Sequence, residues 1–256
     1  MKPSSLRVLL KAAIIAAVLT FPLVQGHSTF VRIALNGHWQ DPLRYIRNKT
    51  SPYDDVAVTV DYPSTLRLYN DPTWPIDRPE SVRCGRDHMK HASKTDIMIV
   101  RAGDTISFAH QLYEPAEWTT AQFLDCPQGR GTCDDKGYTM GLFHDGPVVA
   151  HLSKVPEGQD VHTYDGSGEW VKVYTLGVRT RGSGDFQGPP FIWLPRNDGK
   201  LPPKFEFSIP PQTPSGEYRM TVSEDMHYGR AIDEDFTYPG GRIWDGEKFG
   251  LDKPVY

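Results

Sequence analysis

Cysteine is scarce in this chain, at three in 256 residues, which excludes a dense disulfide framework as the main source of stability. Runs of basic residues are missing as well. The formal charge is −4, and it becomes −7 once Lys2, Arg7 and Lys11 of the leader are set aside. An acidic chain without a basic patch argues against nucleic acid or an anionic membrane as partner. Beyond residue 26 no apolar run approaches the roughly 20 residues a spanning helix needs. Helical periodicity, internal repeats and low-complexity linkers are absent, and so are a phosphate-binding loop and a serine or cysteine triad motif. These absences leave a non-helical domain that works through side chains other than the common nucleophiles.

What is present begins with an export signal. Lys2, Arg7 and Lys11 precede the apolar stretch Ala12 to Val24, and Val24-Gln25-Gly26 offers a cleavage site. Residues 1–26 are therefore expected to be removed, leaving 27–256 as one domain. Strand-like runs occur at Thr29 to Leu35, Thr65 to Leu68, Asp96 to Val100, Thr105 to His110, Val148 to Leu152, Trp170 to Tyr174, Lys204 to Ile209 and Glu217 to Val222. Turn signals separate them: Asn36-Gly37, Arg101-Ala102-Gly103-Asp104 and Pro214-Ser215-Gly216. The pattern predicts an all-β, immunoglobulin-like or fibronectin-like antiparallel sandwich with long loops. Cys126 and Cys133 bracket a short loop and are disulfide candidates that would leave Cys84 unpaired; pairing of Cys84 with either is the alternative. Asn48-Lys49-Thr50 is a glycosylation sequon, with Asn48 as the acceptor.

Among nine histidines, His27 stands out because cleavage after Gly26 makes it the first residue. A terminal histidine offers its α-amine and a ring nitrogen on one rigid unit, a donor set that suits copper. His144-Asp145-Gly146-Pro147 is a turn immediately before the apolar run Val148-Val149-Ala150, which projects a second imidazole from a strand end.

Further segments follow in order: Phe30-Val31-Arg32-Ile33-Ala34-Leu35-Asn36-Gly37, Tyr45-Ile46-Arg47, Cys84, Arg101 to Thr105, Trp170-Val171-Lys172-Val173, Pro214 to Tyr218, Met226-His227 and Tyr238-Pro239. Together with the two histidines, this series resembles the fungal cellulose-active lytic polysaccharide monooxygenases, auxiliary activity family nine. The resemblance implies a secreted, copper-dependent oxidoreductase that cleaves β-1,4-glucan at C1 and/or C4. Its partners would be a polysaccharide and an external electron donor, and a monomer is expected. It assigns His27 and His144 to a three-nitrogen copper brace, Tyr238 to the axial position, and His227 to a hydrogen bond toward the oxygen co-substrate.

The chain also departs from the family pattern. Where the family has a glutamine two residues before the axial tyrosine, this chain has Phe236, which can neither donate nor accept a hydrogen bond. Where the family has a cysteine paired with the one matching Cys84, this chain has Gly241. The rival reading is a non-catalytic copper-binding protein of the same fold; a sandwich that binds carbohydrate without redox chemistry is a second. Cys84, His88 and His91 lack a fourth ligand for a zinc site and are expected to be loop residues. The acidic pairs Asp54-Asp55 and Asp134-Asp135 are expected to be turn residues rather than a glycosidase pair. Tyr53, Tyr62, Tyr69, Trp74, Trp244 and Tyr256 are candidates either for stacking on sugar rings or for ordinary packing.

Overall fold

A computed structural model describes residues 29–49, 83–85, 87–111, 133–134, 137–138, 142, 144–185, 187–197, 203–224, 232–233 and 235–254. In chain order the strands are β1 (Thr29–Leu35), β2 (His38–Trp39), β3 (Thr105–Gln111), β4 (Cys133–Asp134), β5 (Gly137–Tyr138), β6 (Val148–Lys154), β7 (Val171–Leu176), β8 (Val178–Thr180), β9 (Phe191–Trp193), β10 (Phe205–Ser208), β11 (Tyr218–Glu224), β12 (Ile243–Trp244) and β13 (Phe249–Gly250). One sheet runs β10-β3-β1-β2 and the other β11-β6-β7-β12-β13; β4-β5 and β8-β9 are separate two-stranded ribbons. The expected all-β sandwich is the architecture found. Among the described residues one pairing departs from antiparallel: β12 joins β7 in parallel, with Ile243 opposite Lys172.

Alternation explains the main strands. In β1, Ile33 turns inward with the partly buried Phe30 and Leu35, and Ile106 and Phe108 of β3 do the same beside them, the register shifting between Phe30 and Arg32, where Val31 is buried. Phe205, Phe207 and Ile209 extend that apolar face, while Val148, Ala150, Leu152, Val173 and Leu176 supply the opposing one. The two faces meet where Tyr174 stacks on Phe207 with ring centroids 5.0 Å apart, a spacing at which aromatic pairs attract beyond simple burial. Asn36 and Gly37 close the β1-β2 hairpin with φ of 51° and 80°, the left-handed pair that a tight two-residue turn demands.

Two expectations need correction. Asp96 to Val100 is extended but belongs to no ladder among the described residues. Met98 and Val100 pack on the core while Ile97 and Ile99 face solvent, with Ile99 88% exposed. The alternation therefore encodes a two-faced extended segment; pairing, which needs a neighbouring backbone, is not written in it. The second correction concerns His88 and His91, expected in a loop. They lie on a short 3-10 helix, His88–Lys94, entered through a left-handed Asp87 with φ 53°.

The outer side of β7 is not solvent-facing. Lys172 is fully buried there and makes a 2.6 Å ion pair with Asp252, whose side chain is only 9% exposed. The same carboxylate accepts a 2.6 Å hydrogen bond from the Thr175 hydroxyl. The C-terminal segment is thus strapped across the sheet by a desolvated pair, a contact whose severing leaves a naked buried charge.

Two buried imidazoles couple the fold to pH. Burial, reinforced by the nearby Arg219 and Arg47 guanidiniums, pushes the His88 pKa down to about 4. Burial alone brings His110 to about 3. An unfolded histidine titrates near 6.5, so below that pH the unfolded chain takes up protons the folded one refuses, and stability drops as pH falls. Acidification from pH 7 to 4 is expected to remove on the order of 3 kcal/mol through each imidazole. Urea melts across that range check this, and His88→Gln should flatten the slope by about one proton's worth.

Candidate metal centre

His144 sits where the sequence suggested, in the bend that leads into β6, and is half-buried. Both of its flanks are tied to one stretch of chain that follows β9. The Leu142 amide donates to the Pro195 carbonyl at 2.9 Å, and Arg196 Nη1 meets Asp145 Oδ1 at 3.0 Å. Leu142 is 1% exposed, so the loop is anchored by an apolar side chain before the histidine and by a solvent-facing ion pair after it.

Tyr238 is 7% exposed and forms a small core with Val178 and Trp193. Its phenol oxygen accepts a 2.9 Å hydrogen bond from the Val178 amide. Gly177 makes that approach possible, since a Cβ there would fall 2.0 Å from the phenol oxygen. Gly177 follows Leu176, the register partner of Val148, so the phenol lies at the same end of the five-stranded sheet as the His144 loop. The β8-β9 ribbon connects the two residues: Val178 opens it and bonds Tyr238, while the Leu194 amide just past it bonds the Gly177 carbonyl at 2.8 Å. From there the chain reaches Pro195 and Arg196, which hold the His144 loop.

The donor chemistry of these two residues suits copper. An imidazole is a favoured ligand of that metal. The phenol oxygen is an acceptor of the kind that metal could also use, and it accepts from the Val178 N–H. His27 and His227, the remaining members of the expected site, lie outside the described residues; β1 begins two positions after His27.

Phe236 has a packing role. Its ring meets Tyr238 edge-on at 5.4 Å and 88°, and Trp193 at 6.2 Å and 71°. It thereby walls one side of the tyrosine with apolar surface and brings no polar atom to it.

With this geometry in place, comparison with known sequences identifies the chain. A sequence profile of Auxiliary Activity family 9 (formerly GH61) matches residues 27–221. The chain belongs to that family. It is 26% identical over 223 residues to AA9 family lytic polysaccharide monooxygenase G of Aspergillus tamarii, covering 87% of this chain and 53% of that protein. It is also 26% identical over 215 residues to AA9 family lytic polysaccharide monooxygenase U of Thermothielavioides terrestris, covering 84% of this chain and 68% of that one. AA9 family lytic polysaccharide monooxygenase A of Aspergillus fumigatus is 25% identical over 211 residues, covering 82% of this chain and 57% of that protein. The chain thus spans between about half and about two thirds of the length of these curated relatives. The family match includes His27 and His144; His227 and Tyr238 lie beyond its end.

Other candidates resolve differently within this family member. Among the described residues no three metal-ligating side chains gather in one place, and His88 Nδ1 accepts from Arg219 at 3.3 Å, so it is spent on a guanidinium. Cys84 is a free, half-buried thiol, and burial pushes its pKa up to about 11. Cys133 opens β4 opposite Tyr138, whereas Cys126 lies outside the described residues. Asn48 is half-buried and its side-chain oxygen accepts from the Lys49 amide at 2.9 Å. Trp244 packs against the main core; Tyr53, Tyr62, Tyr69, Trp74, Tyr256 and the Asp54-Asp55 pair lie outside the described residues. Among the described residues no helix is long and apolar enough to cross a membrane.

Sequence reasoning passed over Gly177, Val178 and Arg196. A lone glycine after a strand-like run was the one available signal, and only the arrival of Tyr238 gives it meaning. Gly177→Ala should expel the phenol from its seat and cost about 1–3 kcal/mol through overpacking, read by urea denaturation. Combining it with Tyr238→Leu should be clearly non-additive, because the second change removes the atoms that clash.

Proposed function

We propose that this family member is a secreted, copper-dependent lytic polysaccharide monooxygenase that cleaves β-1,4-glucan at C1 and/or C4, with residues 1–26 removed as an export signal and 27–256 acting as one domain. The observation that carries this reading is the family match, which begins at His27, the residue expected to become the new amino terminus. The anchoring of His144 on a clamped loop adds to it.

When bound, copper would supply a one-electron centre that an external donor reduces and that activates dioxygen or peroxide toward the glycosidic carbon. The protein's residues hold and shape the site. His27 would contribute its amine and ring nitrogen, and His144 a second ring nitrogen from a loop that loses little freedom on ligation. Tyr238 would bring to the metal a phenol already oriented by Val178, and Phe236 with Trp193 would keep water from that phenol. His227 would offer a hydrogen bond to the co-substrate. An open face suits a polymer that cannot enter a pocket. A disulfide between Cys126 and Cys133, glycan at Asn48 and a monomeric state complete the reading.

The protein beginning at His27 should bind one copper(II) tightly. A form with a single glycine ahead of His27 turns the amine into an amide and should bind more than about tenfold more weakly, since even outer-sphere losses cost that much. Equal affinities by calorimetry would remove the brace.

A second reading, copper binding without turnover, is favoured by one observation: Phe236 packs against Tyr238 where a polar side chain would be needed to steer oxygen. With ascorbate, peroxide and cellulose, Phe236→Gln should raise release of C1- and C4-oxidised oligosaccharides roughly 10- to 100-fold while copper affinity stays unchanged. No oxidised sugar from either form would establish the second reading.

A further inference from the structure

The geometry points to the buried Lys172–Asp252 pair as a positioning device that sets where the Tyr238 phenol stands. This role rests on the proposed placement of Tyr238 beside the metal only for its consequence at copper, and on the hydrogen bonds around Lys172 and Asp252 for the rest.

A buried ion pair gains little over an apolar pair of equal volume, so stability alone does not account for a fully buried lysine on β7. The disposition of its hydrogen bonds does. Lys172 Nζ reaches Asp252 Oδ2 at 2.6 Å, the Pro239 carbonyl at 2.7 Å and the Tyr238 carbonyl at 3.5 Å. The Tyr238 amide in turn donates to the Asp252 carbonyl at 2.8 Å. Tyr238 is thus held by backbone contacts on both sides, to the same two residues. Thr175 on β7 steadies the carboxylate through its hydroxyl at 2.6 Å. At the far end of the side chain, Gly177 leaves room for the phenol and the Val178 amide caps it at 2.9 Å. Lys172, Thr175, Gly177 and Val178 all belong to one run of seven residues. The backbone and the hydroxyl of the tyrosine are therefore indexed to a single stretch of chain, and a shift of the C-terminal segment along β7 must move the phenol with it.

Val178 provides a reporter that needs no metal, because its amide bonds the phenol. Amide exchange is measured on the copper-free protein for Thr175→Val, which removes one support of Asp252, for Thr175→Ser, which keeps the hydroxyl, and for the double variant Lys172→Met/Asp252→Asn. The expected result is exchange at Val178 about tenfold faster, relative to Val173 and Leu152 amides, in Thr175→Val and the double variant, with Thr175→Ser near the natural rate. A uniform acceleration of all three amides, or none, overturns the positioning role, and Thr175→Val keeps the test alive if the double variant does not fold. Copper(II) electron paramagnetic resonance of the same proteins should shift in the direction that Tyr238→Phe shifts it. If Tyr238→Phe leaves the spectrum unchanged, the axial placement fails while the exchange result still decides the clamp. If Tyr238→Phe moves the spectrum and Thr175→Val does not, the clamp fails as a determinant of the site.

Discussion

A lysine ammonium withdrawn from water must find acceptors for its three N–H groups, and residues 238–252 supply them. Lys172 projects from the outer side of β7, where an exposed strand would leave it in solvent, and the chain answers by laying residues 238–252 across it. Asp252 supplies the countercharge; the carbonyls of Tyr238 and Pro239 supply the rest. The parallel register of β12 on β7 begins opposite this lysine. The covered outer side of the second sheet thus coincides with a buried polar residue, beside which β12 pairs in parallel.

The same arrangement joins stability to the candidate copper centre. Tyr238 and the His144 loop come from segments almost a hundred residues apart, yet both end on the stretch from Gly177 to Arg196. Tyr238 arrives through its hydroxyl on the Val178 amide, and His144 through Leu142 on Pro195 and Asp145 on Arg196. The contacts differ in kind. A buried backbone amide holds its partner firmly, whereas the Arg196–Asp145 pair, nearly half exposed on both sides, contributes at most about 1 kcal/mol and weakens with salt. The tyrosine is accordingly the more firmly held of the two, while the His144 loop owes its anchoring chiefly to the Leu142 amide on the Pro195 carbonyl.

Phe236 illustrates how one residue can be read twice. In sequence it is a missing hydrogen-bond donor beside Tyr238. In the structure it is the third ring of an apolar group with Trp193 and Tyr238, where a glutamine would have to satisfy its amide among aromatic edges. Packing and oxygen steering compete for the same volume.

Much of this was legible in the chain itself. The alternation in residues 29–35, 105–110, 148–152 and 217–222 fell on strands because one face of each had to be buried, and the Asn36-Gly37 pair marked its hairpin through backbone sterics alone. The histidines at 27 and 144 stood out as candidate ligands from position, one beside an expected cleavage site and one before a strand, and the structure places His144 in the bend that leads into β6. Residues 96–100 misled because alternation reports two faces and says nothing of a partner strand. Nothing within Trp170-Val171-Lys172-Val173 marks Lys172 as buried, since covering it depends on a segment that reaches Asp252, eighty residues later. The sequence by itself determined the layers and the family, because those follow from local pattern and residue chemistry. Only the tertiary structure decided that Tyr238 is held by Lys172, Asp252 and Val178, because hydrogen bonds between distant segments exist only once the sheets have brought them within reach.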